Sequence, residues 1–129
     1  MILDTSALIA ILFGEADAEI YANAISAADT CRVSAATFVE VAIVVEAQTK
    51  GGGSNAVDSL LRRANVVIEP VTEEQAHLAR EAYVEFGKGR HRAGLNFGDC
   101  FSYALAKAMG EPLLYKGNDF KKTDIAAAI

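Results

Sequence analysis

The sequence predicts an α/β sandwich built around a mostly parallel β-sheet. Short apolar segments alternate with longer segments of helical composition along the whole chain, and this alternation is typical of helices packed against a parallel sheet. The 129 residues are 52% hydrophobic and 22% charged, with only two prolines. Such a composition indicates an ordered chain that can bury one core. We therefore expect residues 1–129 to form a single α/β domain.

The first half of the chain predicts two strands and four helices. In order they are a strand at 1–3, helices at 6–13 and 16–28, a strand at 31–33, a helix from 35 to about 49 and a helix at 56–64. Ser34 is a suitable N-cap for the third helix, because its hydroxyl can accept a hydrogen bond from the first turn. The segment GGGSN, residues 51–55, separates the third helix from the fourth.

The second half predicts two further strands and two helices. They are a strand at 66–68, helices at 73–87 and 99–109, a strand at 112–115, and a tail at 123–129 that forms a last strand or a fraying end. Thr72 and the two acids after it suit a helix N-terminus, where negative charge is favourable. In parallel sheets, functional side chains gather beyond the carboxyl ends of the strands. The residues that follow each strand therefore need the closest inspection.

Charge is distributed unevenly along the chain. The formal net charge is −5, but residues 1–87 contain five Lys or Arg against thirteen Asp or Glu, whereas residues 88–129 contain seven against four. The basic part includes KGRHR, residues 88–92, which we call the basic loop. Its Lys88, Arg90 and Arg92 can contact the phosphates of a nucleic acid. A loop that only improves solubility is the alternative interpretation.

The sequence indicates neither a membrane segment nor an export signal. No segment approaches the roughly 18 apolar residues of a membrane span, and Asp4 interrupts the apolar N-terminal segment. Cys31 and Cys100 are far apart and lack metal-ligand spacing, so we expect both to be buried thiols. These features predict a soluble, cytoplasmic protein.

Four acidic residues occupy positions where a charge is unusual. Asp4 lies between two apolar segments, and Glu40 lies in a helix that is apolar on nearly every side. Asp99 lies where a helix begins, and Asp119 lies in a turn sequence. Local explanations exist for three of them: an exposed stripe for Glu40, helix capping for Asp99 and turn chemistry for Asp119. Glu46, about 120° round the helix from Glu40, is expected to face solvent.

The four acids are easier to explain as a group than one at a time. Carboxylates brought together repel one another and destabilise the fold, and a divalent cation reverses that effect. Mg²⁺ and Mn²⁺ prefer oxygen ligands and often bind a few carboxylates together with water and substrate phosphates. The only histidines, His77 and His91, are expected at the surface and not as ligands. The acids therefore predict a Mg²⁺ or Mn²⁺ site.

Four motifs, in order, resemble those of PIN-domain ribonucleases and, among them, the VapC toxins of bacterial toxin–antitoxin pairs. They are ILDTSAL, TFVEV, NFGDCFSYALAKA and LLYKGNDFKKTDI, and their order and spacing agree with the family over essentially the whole chain. The resemblance implies a three-layer α/β/α fold and an endoribonuclease that depends on Mg²⁺ or Mn²⁺. It also implies a homodimer and a small antitoxin, whose C-terminal segment binds the toxin and often places a basic side chain near the acids.

The resemblance also implies roles for individual residues. Asp4, Glu40 and Asp99 match the core acids of the family, which are catalytic metal ligands. Asp119 matches the fourth acid, the more variable one, and Ser6 matches a hydroxyl that helps to hold a metal-bound water. Asp124 lies in the matching tail and is not expected to be a ligand.

The resulting hypothesis is hydrolysis of a phosphodiester bond in RNA, with transfer RNA and ribosomal RNA as candidate targets. A cation held mainly by Asp4 and Asp99 activates water near neutral pH and offsets charge on the phosphoryl oxygens. Glu40 binds the cation through water or orients the nucleophile, and Asp119 completes a second metal position where one exists. Lys116 and the basic loop are expected to bind the RNA backbone.

Three other interpretations fit the residues less well. A haloacid-dehalogenase-type phosphohydrolase needs a second Asp two residues after the first, and here that position is Ser6. A phospho-receiver module, a Mg²⁺-binding α/β domain without nuclease activity, needs adjacent acids after the first strand and an Asp after a central strand. The chain offers one acid, Asp4, and then Glu69-Pro70. A PIN fold that only binds RNA would not need the complete acid set.

Overall fold

The computed structural model describes all residues, 1–129, and has the predicted α/β architecture. In chain order its strands and helices are β1 (Ile2–Leu3), α1 (Thr5–Leu12), α2 (Ala18–Ala27), β2 (Arg32–Ser34), α3 (Ala35–Thr49), α4 (Gly53–Arg63), β3 (Val67–Glu69), α5 (Glu73–Phe86), α6 (Phe97–Met109) and β4 (Leu113–Leu114). A short 3₁₀-helix, Phe120–Lys122, follows β4. No helix combines the length and the apolar character needed to cross a lipid bilayer.

The four strands form one parallel sheet in the order β3-β2-β1-β4. Ile2 of β1 pairs with Arg32 of β2 on one side and with Leu113 of β4 on the other. The chain moves outward from β1 through β2 to β3 and then returns to the opposite side of β1. The strand order therefore reverses beside β1, and the crevice beyond the carboxyl ends of strands at such a point is where open α/β sheets bind ligands. Asp4 is the residue that follows β1.

Two apolar clusters cover the two faces of the sheet and produce the three layers. Side chains alternate between faces along a strand, so Ile2 joins the cluster with α5 and α6, whereas Leu3 joins the cluster with α1 to α4. Leu113 and Leu114 repeat this alternation in β4. All four side chains are 0% exposed. The two strands that lead into the acidic segments are therefore anchored on both faces.

Two helices begin two or three residues earlier than the sequence predicts. α4 begins at Gly53 instead of residue 56, because Gly52 adopts a left-handed φ of +79° and turns the chain sharply. A Cβ on Gly53 would lie 2.8 Å from the Val45 side chain, so the missing side chain allows α3 and α4 to meet closely. α6 begins at Phe97 instead of residue 99, which places Asp99 inside its first turn.

The C-terminal tail pairs with β4. The backbone N–H of Leu113 donates to the carbonyl of Ala126, and that of Ala128 donates to the carbonyl of Leu113, each at 2.9 Å. Of the two expectations for the tail, a last strand or a fraying end, the structure shows the first, reduced to a single parallel bridge between Leu113 and Ala127. The tail therefore adds a partner to the free edge of β4.

The cysteines lie where the sequence predicts, and the two histidines differ in exposure. Cys31 and Cys100 are both buried and free. His77 is exposed, as expected, whereas His91 is half-buried. The His91 ring meets Phe86 edge-on with 5.3 Å between ring centroids. His91 therefore lies only partly at the surface, because its ring packs against Phe86.

Candidate active site

Asp4 is buried at the carboxyl end of β1 and has one oxygen without a partner. It is the N-cap of α1, with extended backbone angles, and its Oδ2 accepts hydrogen bonds from the N–H of Ser6 at 3.0 Å and from Ser6 Oγ at 2.6 Å. The side chain is 2% exposed, and Oδ1 is buried with no hydrogen-bond donor. A buried carboxylate oxygen without a donor is costly, so Oδ1 is an open ligand position for a cation.

Ser6 orients Asp4 and connects it to the chain after β4. While Ser6 Oγ donates its single proton to Asp4, it accepts a hydrogen bond from the backbone N–H of Lys116 at 2.9 Å. The hydroxyl proton is thus committed to the carboxylate. The contact observed for Ser6 is therefore one that positions an acid, and its contact with a metal-bound water stays a prediction.

Glu40 reaches the site from the middle of α3. Its side chain is half-buried, and its Oε1 accepts a hydrogen bond from the hydroxyl of Thr5, the first residue of α1. The carboxylate also occupies the space beside Gly98, where any side chain would overlap it. Glu40 is therefore directed inward and does not lie on an exposed stripe. Glu46, by contrast, is exposed as expected.

Asp99 caps α6 and also belongs to the acidic site. It forms a capping box with Asn96: Asp99 Oδ2 accepts from the Asn96 N–H at 3.0 Å, and the Asp99 N–H donates to Asn96 Oδ1 at 2.9 Å. The pKa of the Asp99 carboxyl is raised to about 7: burial is the largest cause, the charges of Asp4, Asp119 and Glu40 add to it, and the Asn96 N–H opposes it. The charges of the other three acids therefore all act on Asp99.

Asp119 is the most open of the four acids. It is exposed, precedes the 3₁₀-helix Phe120–Lys122 and makes no side-chain cap there. It nevertheless lies near enough to raise the pKa of Asp99. Gly117, with a φ of +103°, turns the chain between β4 and this acid. The turn sequence thus explains the backbone conformation before Asp119, but it does not explain why the Asp119 charge lies near Asp99.

The four acids suit an open, hydrated ion better than a closed cage. No three Asp, Glu, His or Cys side chains converge closely enough to enclose an ion by themselves. Ser6, Thr5 and Asn96 hold three of the four carboxylates through hydrogen bonds. Mg²⁺ keeps several of its waters and needs only one or two carboxylates. The open oxygen of Asp4 beside Asp99 therefore fits a cation of this kind.

The basic loop adjoins the acidic site through the chain. Lys88, Arg90 and Arg92 are all exposed. The backbone N–H of Lys88 donates to the carbonyl of Leu95 at 2.8 Å, which closes the loop immediately before the N-cap of α6. Three cations are thus held on a short loop next to the helix that carries Asp99.

Lys116 is paired within the protein. Its Nζ donates to Asp17 Oδ1 at 2.8 Å and also contacts Glu15, on the connection between α1 and α2. Hydrogen bonds to Asp17 and Glu15 raise the pKa of the Lys116 ammonium. Two carboxylates thus pair with the exposed Lys116 ammonium in this structure, and contact of Lys116 with the RNA backbone stays a prediction.

Other residues that the sequence did not single out as functional also shape the site. Thr5 contacts Glu40, Gly98 leaves space for the Glu40 carboxylate, and Asn96 completes the capping box of Asp99. Each lies within three residues of an acid in the chain. The signal available in the sequence was this adjacency, but it does not reveal which distant side chain each residue meets. Asp124 accepts hydrogen bonds from Tyr103 and Lys107, each at 2.6 Å. It therefore forms an ion pair with Lys107.

Known proteins share both the sequence pattern and the fold. A sequence model described as PIN domain matches residues 1–126. The chain belongs to the PIN-domain family. Ribonuclease VapC28 of Mycobacterium tuberculosis is 55% identical to this PIN domain over 130 residues, covering 100% of this chain and 98% of that protein. Ribonuclease VapC of Mycolicibacterium smegmatis is 51% identical over 127 residues, covering 98% of each.

Two solved structures share the fold of this PIN domain. VapC20 of Mycobacterium tuberculosis, described as a sarcin–ricin loop cleaving toxin, superposes with a TM-score of 0.79 at 19% identity and covers 97% of this chain and 95% of that one. A chain of a toxin–antitoxin complex from Klebsiella pneumoniae gives a TM-score of 0.72 at 17% identity, with 95% and 92% covered. At these identities the likeness concerns the three-layer architecture.

Proposed function

We propose that this PIN domain is an endoribonuclease and the toxin of a toxin–antitoxin pair. The observation that carries the proposal is the common field of the four acids: Asp4, Glu40 and Asp119 all raise the pKa of Asp99 beyond the carboxyl end of β1. A structural helix cap does not need three further acids beside it. Relatives with more than half of their residues identical to this chain are named ribonucleases, which supports RNA as the substrate.

The reaction requires a divalent cation, Mg²⁺ or Mn²⁺. Asp4, through its open Oδ1, and Asp99 would hold it, and Glu40 and Asp119 would act through water or at a second position. When bound, such a cation offsets negative charge on the scissile phosphate and makes a water molecule a better nucleophile. The buried oxygen of Asp4 without a donor supports this assignment independently of the relatives.

The chain's own residues orient the acids before any substrate binds. Ser6 holds Oδ2 of Asp4 and leaves Oδ1 free, and Asn96 holds Oδ2 of Asp99. Neighbours of this kind keep ligands in a productive direction, and their loss commonly reduces activity or metal affinity by about 10–100-fold. The basic loop, which precedes the helix that carries Asp99, binds the RNA backbone and brings the phosphate towards the acids.

The protein acts as a homodimer. Val39 and Ile43, four residues apart on α3, are 52% and 63% exposed, and Phe97 at the start of α6 is 80% exposed. A cleft of about 380 Å³ between α5 and α6, lined in part by Tyr83 and Phe97, is almost wholly apolar. Exposed apolar surface of this kind is typical of protein–protein contact, and a second copy of the chain would cover it.

The second partner is a small antitoxin whose C-terminal segment places a basic side chain near the acids. The excess of acids in residues 1–87 complements such a segment electrostatically. We place both proteins in the cytoplasm, where the candidate targets, transfer RNA and ribosomal RNA, are found.

The decisive experiment is inducible expression in bacteria with mapping of the cut RNA ends. We expect growth arrest and defined cleavage sites with the natural protein, and neither with Asp4→Asn or Asp99→Asn. Asp58→Asn, on the exposed face of α4, is the matched control and should behave as the natural protein. Purified protein should cleave the mapped RNA with Mg²⁺ and not with EDTA.

Three outcomes would contradict the proposal. Normal cleavage by both acid variants, or cleavage unaffected by EDTA, would exclude the metal-dependent mechanism. RNA binding without cleavage by the natural protein, in the presence of Mg²⁺ and Mn²⁺, would instead identify a PIN domain that only binds RNA.

A further inference from the structure

Glu40 is held between two residues that each adjoin another acid. On one side the hydroxyl of Thr5, the residue after Asp4, donates to Glu40 Oε1. On the other side Glu40 packs over Gly98, the residue before Asp99. No further hydrogen bond to the Glu40 side chain is present in the structure. The direction of this carboxylate therefore depends on one hydroxyl and on the space left by one glycine.

We infer that Thr5 and Gly98 are positioning residues that hold Glu40 in the acidic site. This inference rests on the proposed function for the role of the site, but its geometry does not. Glu40 is 35 residues from Thr5 and lies on a different helix, so the contact ties the start of α1 to the middle of α3. Gly98 ties α3 to the start of α6 in the same way, through the close approach that a Cβ would prevent.

The close approach of the Glu40 carboxylate to Gly98 also has an electrostatic effect. Gly98 lies in the first turn of α6, where the helix dipole favours negative charge. A carboxylate placed there is stabilised although it lies near Asp99, whose charge repels it. Thr5 supplies the complementary restraint from the opposite side. Together they allow Glu40 to remain among like charges instead of rotating towards solvent.

Burial alone would not produce this arrangement. Glu40 is only half-buried, so solvent reaches part of its side chain. A Glu side chain without specific contacts would therefore turn towards solvent. Its inward direction is explained by the Thr5 hydrogen bond and the Gly98 space.

The first test is Mn²⁺ affinity of the purified, full-length protein, measured by calorimetry in the absence of RNA. Thr5→Val keeps the shape of the side chain and removes the hydroxyl. We expect it to weaken Mn²⁺ binding about tenfold, as the loss of an orienting neighbour commonly does, and Thr5→Ser to restore the affinity. In a Glu40→Ala background, Thr5→Val should have no further effect.

The second test uses Gly98→Ala and does not need a metal. Because the new methyl group would overlap the Glu40 carboxylate, we expect the melting temperature in EDTA to fall by about 5 °C. In the Glu40→Ala background the methyl group has space, and the fall should be largely abolished. Ala108, in the same helix but outside the acidic site, offers a control: Ala108→Gly should have the same effect in both backgrounds.

The outcomes separate this inference from the proposed function. Equal effects of Thr5→Val on Mn²⁺ affinity with and without Glu40 would overturn it, as would equal effects of Gly98→Ala on melting in the two backgrounds. Absence of Mn²⁺ binding by the natural protein would also overturn it. A natural protein that binds Mn²⁺ and shows both couplings but cleaves no RNA would support the positioning role and refute the nuclease.

Discussion

Replacement of Asp99 by asparagine is expected to stabilise the metal-free protein, and more at pH 7.5 than at pH 5. Burial and the charges of the three neighbouring acids raise the pKa of Asp99 to about 7, from an ordinary value of 3.8. The folded protein therefore keeps a proton that the unfolded chain releases. For a carboxyl shifted in this direction, stability is greatest below pH 4 and is lost as the pH rises to about 7. Asparagine removes this loss.

The expected magnitude follows from the width of that pH window. Each pH unit between the two pKa values corresponds to about 1.4 kcal/mol, so Asp99 costs about 2–3 kcal/mol between pH 5 and pH 7. Asp99 is only half-buried, and solvent screening reduces the figure to about 2 kcal/mol. The capping box is retained in the variant, because the asparagine oxygen can still accept from the Asn96 N–H.

Urea unfolding in EDTA at pH 5 and pH 7.5 measures this effect. Asp124→Asn is the matched control: partial burial pushes the Asp124 pKa upward, but the hydrogen bonds from Lys107 and Tyr103 outweigh it and lower the pKa. Removal of that charge should therefore destabilise the protein at both pH values. With saturating Mn²⁺ the order should reverse for Asp99, since only the natural protein gains from tight metal binding.

Repulsion among the clustered acids is refuted if Asp99→Asn does not raise the stability at pH 7.5. It is also refuted if the gain is as large at pH 5 as at pH 7.5, because the effect would then not come from titration of this carboxyl.

Three further predictions address other parts of the molecule. Replacing all three cations of the basic loop with alanine should weaken RNA binding and reduce the magnitude of the slope of log affinity against log salt by about two. Replacing Arg62 and Arg63 on α4 with alanine should change neither quantity. Filter binding across a salt series measures both. Gly52→Ala should lower the free energy of unfolding by about 1–2 kcal/mol, because φ is +79° there; urea unfolding would contradict this if the variant matched the natural protein. Asp4→Asn should raise the melting temperature in EDTA and abolish stabilisation by Mn²⁺, and a clear drop in EDTA would count against clustering.

Much of the fold was accessible from the sequence because it depends on local pattern. Short apolar strands, helix caps such as Ser34 and Thr72, and the glycine after α6 place every strand and helix of the structure in the right order. The errors lie at boundaries. α4 starts at Gly53, where the missing side chain permits close contact with α3, and such a contact is a property of two helices and not of one segment.

The acidic site, too, was only partly predictable from the sequence. Asp4, Glu40, Asp99 and Asp119 can be selected from the sequence, because a charge in an apolar or turn context is visible there and the family motifs contain all four. Their common field is visible only in the pKa of Asp99, which depends on distances between four separate segments. The pairing of Lys116 with Asp17 and Glu15 likewise could not be foreseen, since nothing in the chain order connects them.

The sequence by itself determined the α/β class, the acids and the family to which the chain belongs. Only the tertiary structure decided how each acid is held: Ser6 on Asp4, Asn96 on Asp99, and Thr5 with Gly98 on Glu40. The physical reason is that residue type and periodicity are local properties, whereas hydrogen bonds and close approaches between distant segments exist only after the sheet and its two cores have brought the helix N-termini together.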